Sequence, residues 1–142
     1  MKRVALILDD DPLILSLLQG VLSRRGYEVA TFMSAAQCPA YRDDACPCSL
    51  AGGCPNIILT DFDMPGVNGM EFIEKLRRKS CKCLDVVLMS GSYIDCPTLR
   101  RSTALGVTFI AKPFHMSQIQ TWLDKIENFG RHSFLPCSTA AG

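Results

Sequence analysis

Five side chains in this sequence could do chemistry together if the fold brought them to one place: Asp9, Asp10, Asp61, Ser90 and Lys112. Each lies at the end of a short apolar run, with VALIL before Asp9, IILT before Asp61, VVLM before Ser90 and VTFIA before Lys112. Clustered carboxylates are costly unless a cation neutralises them. Hard oxygen donors with open coordination positions suit Mg²⁺, which also takes phosphate oxygens as ligands. An aspartate beside such an ion can attack phosphorus and form an aspartyl-phosphate. A lysine and a hydroxyl are natural partners for the transferred phosphoryl oxygens. Alone, Asp9 and Asp10 would be loop acids and Ser90 would mean nothing; the shared position after apolar runs makes them a set. Asp11, followed by Pro12, reads as a helix cap instead of a ligand.

The elements that must position these residues follow from the same runs. Residues 4–8, 27–32, 56–60, 84–89 and 107–111 read as five strands by length and β-branching. Between them lie helical patterns. Leu13, Leu17, Leu18, Val21 and Leu22 recur at helical spacing, and Arg24, Arg25 and Gly26 supply a basic end and a terminal glycine. Residues 70–79 place Met70, Ile73 and Leu76 on one face. Residues 97–105 form a short helix closed by Gly106, and residues 117–128 one with Ile119, Trp122, Leu123 and Ile126 inward. This alternation predicts an α/β domain, a doubly wound parallel sheet with helices on both faces. Ligands bind such sheets at the C-terminal strand ends, which is where the five candidates fall.

Bulk properties narrow the partners. A chain of 142 residues, 48% hydrophobic and 20% charged, suits one globular domain with its own core. A net charge of +1 leaves no strong field for nucleic acid or an acidic membrane. The basic group Arg77, Arg78, Lys79 and Lys82 reads as a solvated helix end. The apolar run after the basic start is too short for a signal segment, and none approaches the ~20 residues of a membrane span. The expected location is the cytoplasm.

The segments LILDDDP, IILTDFDMPGVNGMEF, VLMSG and GVTFIAKPF, in this order, resemble the response-regulator receiver domain of bacterial two-component signalling. The resemblance covers about residues 3–128. It implies a five-stranded flavodoxin-like sheet of order 2-1-3-4-5, a receiver domain over residues 1–128 and a tail over residues 129–142 without an output domain. Asp61 matches the phosphoacceptor. Asp9 and Asp10 match the acidic pair, with Asp10 a direct Mg²⁺ ligand and the backbone carbonyl of Asp63 another. Ser90 matches the switch hydroxyl, Lys112 the lysine that pairs with the phosphoryl group, and Phe109 the aromatic switch position. The Lys112–Pro113 bond is expected to be cis. The implied reaction is transfer from a phosphohistidine of a sensor histidine kinase to Asp61, in a domain that phosphorylates and dephosphorylates itself and is not a turnover enzyme. The surface of the fourth helix, fifth strand and fifth helix would then change and bind a downstream protein, with a homodimer as another partner to test. No helix-turn-helix is present, so direct nucleic-acid binding is not expected, nor is membrane binding. Asp63 adds a carboxylate beside the acceptor and is expected to modulate the lifetime of the phosphoryl group.

Two other readings stand beside this one. DFDMPG resembles the D-x-D motif of haloacid-dehalogenase-type phosphatases, but there the motif closes the first strand, whereas here an acidic pair precedes it. The second reading is a thiol- or metal-based redox sensor on a receiver scaffold. It comes from the 8 cysteines, four of them between residues 38 and 54 in CPAYRDDACPCSLAGGC. Pro39, Pro47 and the Gly52–Gly53 pair make a regular second helix unfavourable past its first turns, so a cysteine-rich insertion (about residues 38–55) replaces or distorts it. Cys46, Cys48 and Cys54 precede the third strand and Cys81 and Cys83 the fourth, at the edge opposite Asp61. These thiols could hold zinc or an iron–sulfur cluster, form a reversible disulfide or stay free. Cys38, Cys96 and Cys137 stand apart from that set, and His115 and His132 are isolated.

Overall fold

A computed structural model of the protein describes residues 3–42, 55–79, 85–91 and 93–129. The elements run β1 (Arg3–Leu8), α1 (Pro12–Arg24), β2 (Tyr27–Phe32), a 3₁₀ turn (Ala35–Gln37), α2 (Pro39–Arg42), β3 (Ile57–Asp61), α3 (Gly69–Arg78), β4 (Asp85–Ser90), α4 (Cys96–Ala104), β5 (Val107–Ala111) and α5 (Met116–Phe129). All pairings are parallel, in the order β2-β1-β3-β4-β5. This is the flavodoxin-like topology the sequence implies.

The apolar runs become strands because a parallel sheet is covered on both faces. Every residue of β3 is buried. Successive side chains feed opposite layers. Ala5, Ile7, Ile57, Leu59, Val87 and Met89 pack under α1 and α5, against Leu18, Leu22, Ile119 and Leu123. Leu6, Leu8, Ile58 and Val86 pack on the other side, against Phe72, Ile73 and Leu76 of α3.

Helix α1 starts as its sequence indicates. Asp11 accepts a hydrogen bond from the Leu13 N–H at 2.9 Å, and Pro12 opens the first turn. Beyond Arg25 the chain turns through Gly26 at φ 90°, a conformation open to glycine. The buried stripe, however, is Leu15, Leu18, Val21 and Leu22. Leu13 and Leu17, grouped with that stripe by spacing, are 67% and 50% exposed. At about 100° per residue each lies about 200° of helix rotation from Leu15, on the outer side.

The second helix is described for one turn, Pro39–Arg42, and residues 43–54, which hold most of the expected cysteine-rich insertion, lie outside the described residues. The turn is held against α3. Tyr41 stacks on Phe72 at 6.0 Å between ring centroids, the Lys75 ammonium sits 4.1 Å over the Tyr41 ring, and Lys79 Nζ donates to the Tyr41 carbonyl at 3.3 Å. Cys38, also apart from the expected thiol cluster, is fully buried in this layer. Cys46, Cys48, Cys54, Cys81 and Cys83 lie outside the described residues.

Helix α3 begins with a capping box in which Asn68 Oδ1 accepts from the Glu71 N–H and Glu71 Oε1 from the Asn68 N–H. Its first residue, Gly69, passes so close to the sheet that an added Cβ would run into the Asp61 carbonyl and come within 2.7 Å of Leu88 Cδ1. Gly69→Ala is therefore expected to destabilise the protein by about 2–3 kcal/mol and to shift the backbone at Asp61. Urea unfolding checks the first effect and amide chemical shifts around Asp61 the second.

Helix α4 is anchored lightly. Only Ser102 is buried, and polar contacts to α3 hold it: Arg101 pairs with Glu74, and Arg77 Nη2 donates to the Leu105 carbonyl at 3.1 Å. Helix α5 is tied to the end of α1 through Arg25, which meets Asp124 at 2.8 Å and Glu127 at 2.9 Å. Among the described residues, no helix is long and apolar enough to cross a membrane.

Candidate functional site

Strand register assembles the site. Leu8 pairs with Thr60, Asp61 with Met89, and Ser90 with Ala111. Asp9 and Lys112, one residue beyond β1 and β5, therefore arrive at the same edge as Asp61 and Ser90. Backbone bonds close that edge: Asp9 N–H donates to Phe32 O at 3.1 Å, Phe62 N–H to Met89 O at 2.7 Å, and Lys112 N–H to Ser90 O at 2.8 Å. The Lys112–Pro113 peptide is cis, as expected.

Asp9 and Asp61 are buried while Asp10 is exposed, and carboxylate oxygens of the three lie within 4.8 Å of one another. Lys112 Nζ donates to Asp9 Oδ2 at 2.8 Å and lies 3.1 Å from Asp61 Oδ1. The second approach lacks hydrogen-bond geometry, and among the described residues this buried Asp61 oxygen accepts no hydrogen bond. The other Asp9 oxygen accepts from the Asp11 N–H at 2.9 Å.

Burial, then the neighbouring Asp9, push the Asp61 carboxyl up from its ordinary 3.8 to about 6, against the pull of Lys112. Burial alone would lower Lys112, but its hydrogen bond to Asp9 and its attraction to the Asp61 and Asp9 carboxylates outweigh that and hold it above its usual range. The edge thus gathers three carboxyl groups around one ammonium, and the Asp61 oxygen that faces Lys112 has no hydrogen bond among the described residues. Those donors fit a divalent oxygen-seeking cation such as Mg²⁺. By contrast, zinc or iron–sulfur binding rested on cysteines that lie outside the described residues.

Ser90 is buried, and its Oγ donates to Asp63 Oδ2 at 3.3 Å. The sequence suggested Asp63 as a backbone ligand and a nearby charge, but not this contact. The D-x-D spacing brings a second carboxylate to the edge; the turn after β3 aims it at Ser90. Phe109 is half-buried on β5, paired with Leu88. Sequence reasoning also missed a hollow of about 490 Å³ beside the edge, lined by Ile14, Leu17, Lys112, Phe114 and Met116 among others.

A parallel sheet of this order, with acids, a hydroxyl and an ammonium gathered at its C-terminal edge, defines an α/β domain of flavodoxin-like topology. Comparison with known proteins narrows the class. The family model of the response regulator receiver domain matches residues 5–124. The transcriptional regulatory protein AruR of Pseudomonas aeruginosa is 33% identical over 128 residues, covering 90% of this chain and 50% of that protein. The transcriptional regulatory protein FixJ of Azorhizobium caulinodans is 33% identical over 109 residues, covering 76% and 47%. The C4-dicarboxylate transport regulator DctD of Pseudomonas aeruginosa is 32% identical over 77% of this chain and 22% of its own length. The chain thus spans half or less of these relatives. In fold it is similar to the chemotaxis protein CheY4 of Vibrio cholerae (22% identity, 89% of this chain and 99% of that one, TM-score 0.67) and to a response regulator receiver protein from Pseudomonas putida (21%, 88% and 98%, TM-score 0.71).

The chain belongs to the response regulator receiver domain family. It is a signalling domain by that membership.

Proposed function

We propose that the protein is a phosphorylation switch that accepts a phosphoryl group on Asp61 from a phosphohistidine of a sensor kinase. The observation that carries this is the buried Asp61 oxygen, which among the described residues accepts no hydrogen bond, lies 3.1 Å from the Lys112 ammonium and is ringed by Asp9 and Asp10. It is a nucleophile held ready, its charge already raised in energy by burial. In the transfer, an Asp61 carboxylate oxygen forms the bond to phosphorus as the phosphorus–nitrogen bond breaks, and the electron pair stays with the imidazole. Asp10, Asp61 and the backbone carbonyl of Asp63 would hold Mg²⁺, with Asp9 completing the acidic pair, and the ion would offset the charge of the phosphoryl oxygens. Lys112 carries the remaining positive charge at the edge, between Asp9 and Asp61. Ser90 and Phe109 then change position, and the surface of α4, β5 and α5 passes the signal to a downstream protein.

A protein donor must bring its nitrogen against Asp61, so it must cover the ground around that edge. Leu17, which lines the hollow at Phe114 and is half exposed, and the exposed Leu13 of the same helix offer the apolar area for it. Leu17→Glu is expected to slow transfer from a phosphohistidine protein at least about tenfold and to leave labelling by acetyl phosphate unchanged. Equal slowing with both donors would place Leu17 in the chemistry and not in docking.

The test of the function itself is incubation with acetyl phosphate, followed by intact mass. One phosphoryl group per chain is expected with Mg²⁺ and none with a chelator. Continuous release of phosphate from simple phosphoesters would instead support the phosphatase reading. A response to oxidant or chelator that survives Asp61→Asn would support the thiol sensor.

A further inference from the structure

The contact between Ser90 and Asp63 makes the resting site more than an empty receptacle. Ser90 is only 4% exposed. Its backbone is fixed on the β5 side, by pairing with Ala111 and by the Lys112 N–H that donates to its carbonyl at 2.8 Å, and on the other side the preceding Met89 carbonyl accepts from the Phe62 N–H at 2.7 Å. With the backbone held, the hydroxyl can be re-aimed only by rotation about χ1, among three staggered positions. A hydroxyl carries one proton and donates to one acceptor at a time. In this structure Asp63 Oδ2 lies at 3.3 Å as an acceptor for it.

We propose that Asp63 is a latch on Ser90: its carboxylate is a competing acceptor that holds the hydroxyl in the resting position, and a phosphoryl group on Asp61 must take the hydroxyl from it before the switch can move. The inference rests on the phosphoacceptor reading and adds a positioning residue to it. Donation to Asp63 and donation to a phosphoryl oxygen on Asp61 exclude each other. A carboxylate is a strong acceptor for a partly buried hydroxyl, although the long distance places this bond at the weak end of its class. Asp63 is itself exposed, so replacing its side chain opens no cavity in the core. The latch therefore acts on the switch and not on the fold.

The probe is fluoroberyllate with Mg²⁺, a non-covalent stand-in for the phosphoryl group. It is titrated into wild type, Asp63→Ala, Ser90→Ala and the double variant, with Phe109 ring resonances as the readout. Asp63→Ala is expected to tighten binding about tenfold. In the Ser90→Ala background the same substitution should gain about threefold or less, because only charge repulsion is then relieved. Asp63→Asn, which keeps an acceptor oxygen in place, should gain less than Asp63→Ala. Without any ligand, the χ1 couplings of Ser90 should report one rotamer in wild type and averaging in Asp63→Ala. Equal gains in both backgrounds, or an unchanged Ser90 rotamer in Asp63→Ala, would overturn the latch and leave Asp63 a mere repulsive charge. If wild type bound no fluoroberyllate at all, the phosphoacceptor reading would fall and the latch with it; equal gains would remove the latch alone.

Discussion

Asp61→Asn is expected to abolish phosphoryl acceptance and at the same time to give a more stable protein at neutral pH. The two effects share one cause. Asp61 is ionised in a buried place next to Asp9, which raises its carboxyl from 3.8 to about 6. A carboxyl with a raised folded pKa holds its proton longer in the folded state than in the unfolded chain. Its ionisation therefore costs nothing below about 3.8, costs progressively more as pH rises towards about 6, and costs its full amount above that. The full amount is on the order of 3 kcal/mol. Asparagine avoids it at the same size, and has no nucleophilic oxygen. Urea unfolding with a chelator present should give equal stabilities for the two proteins at the acid end, a gap that opens between those two pH values, and a plateau beyond. A gap that did not vary with pH would show that Asp61 is not strained by its burial.

Lys112→Met should have the opposite effect on stability. Lys112 is the ammonium that meets Asp9 at 2.8 Å and Asp61 at 3.1 Å. Removing it leaves a fully buried Asp9 with only a backbone N–H on its other oxygen. Breaking a buried pair from one side leaves an uncompensated charge, here worth about 3 kcal/mol. A divalent cation at the same edge would take over part of the neutralisation. Added Mg²⁺ is therefore expected to raise the melting temperature of Lys112→Met more than that of wild type, since a ligand that binds only the folded state stabilises it. Equal melting temperatures for variant and wild type without Mg²⁺ would mean that the ion pair contributes nothing net.

The parts of this architecture that were legible in the sequence are those fixed by local pattern. Five strands show as apolar runs, and the central three, β1, β3 and β4, are mostly buried because a parallel strand there faces helices on both sides. The site residues follow those runs directly, so naming the strand ends named Asp9, Asp61, Ser90 and Lys112. The Asp11–Pro12 start of α1 and the cis Lys112–Pro113 bond also match what the sequence led us to expect. What escaped depends on rotation and on loops. Spacing links Leu13 and Leu17 to the buried stripe of α1, but only the docked helix shows which leucines face out. The aim of Asp63 at Ser90 depends on the turn after β3, which no periodicity encodes. The attachment of α2 to α3 through Tyr41 also escaped, because stacking pairs leave no mark on a single sequence.

The central claim is that Asp61 is the residue that receives the phosphoryl group. It is tested most directly by labelling the protein with acetyl phosphate and Mg²⁺, reducing it with borohydride and sequencing its peptides by mass. An acyl phosphate is reduced to an alcohol, so the account predicts homoserine at position 61 and aspartate unchanged at Asp9, Asp10 and Asp63. Homoserine at one of those three positions, or a phosphate that survives reduction on a serine or threonine, would contradict it.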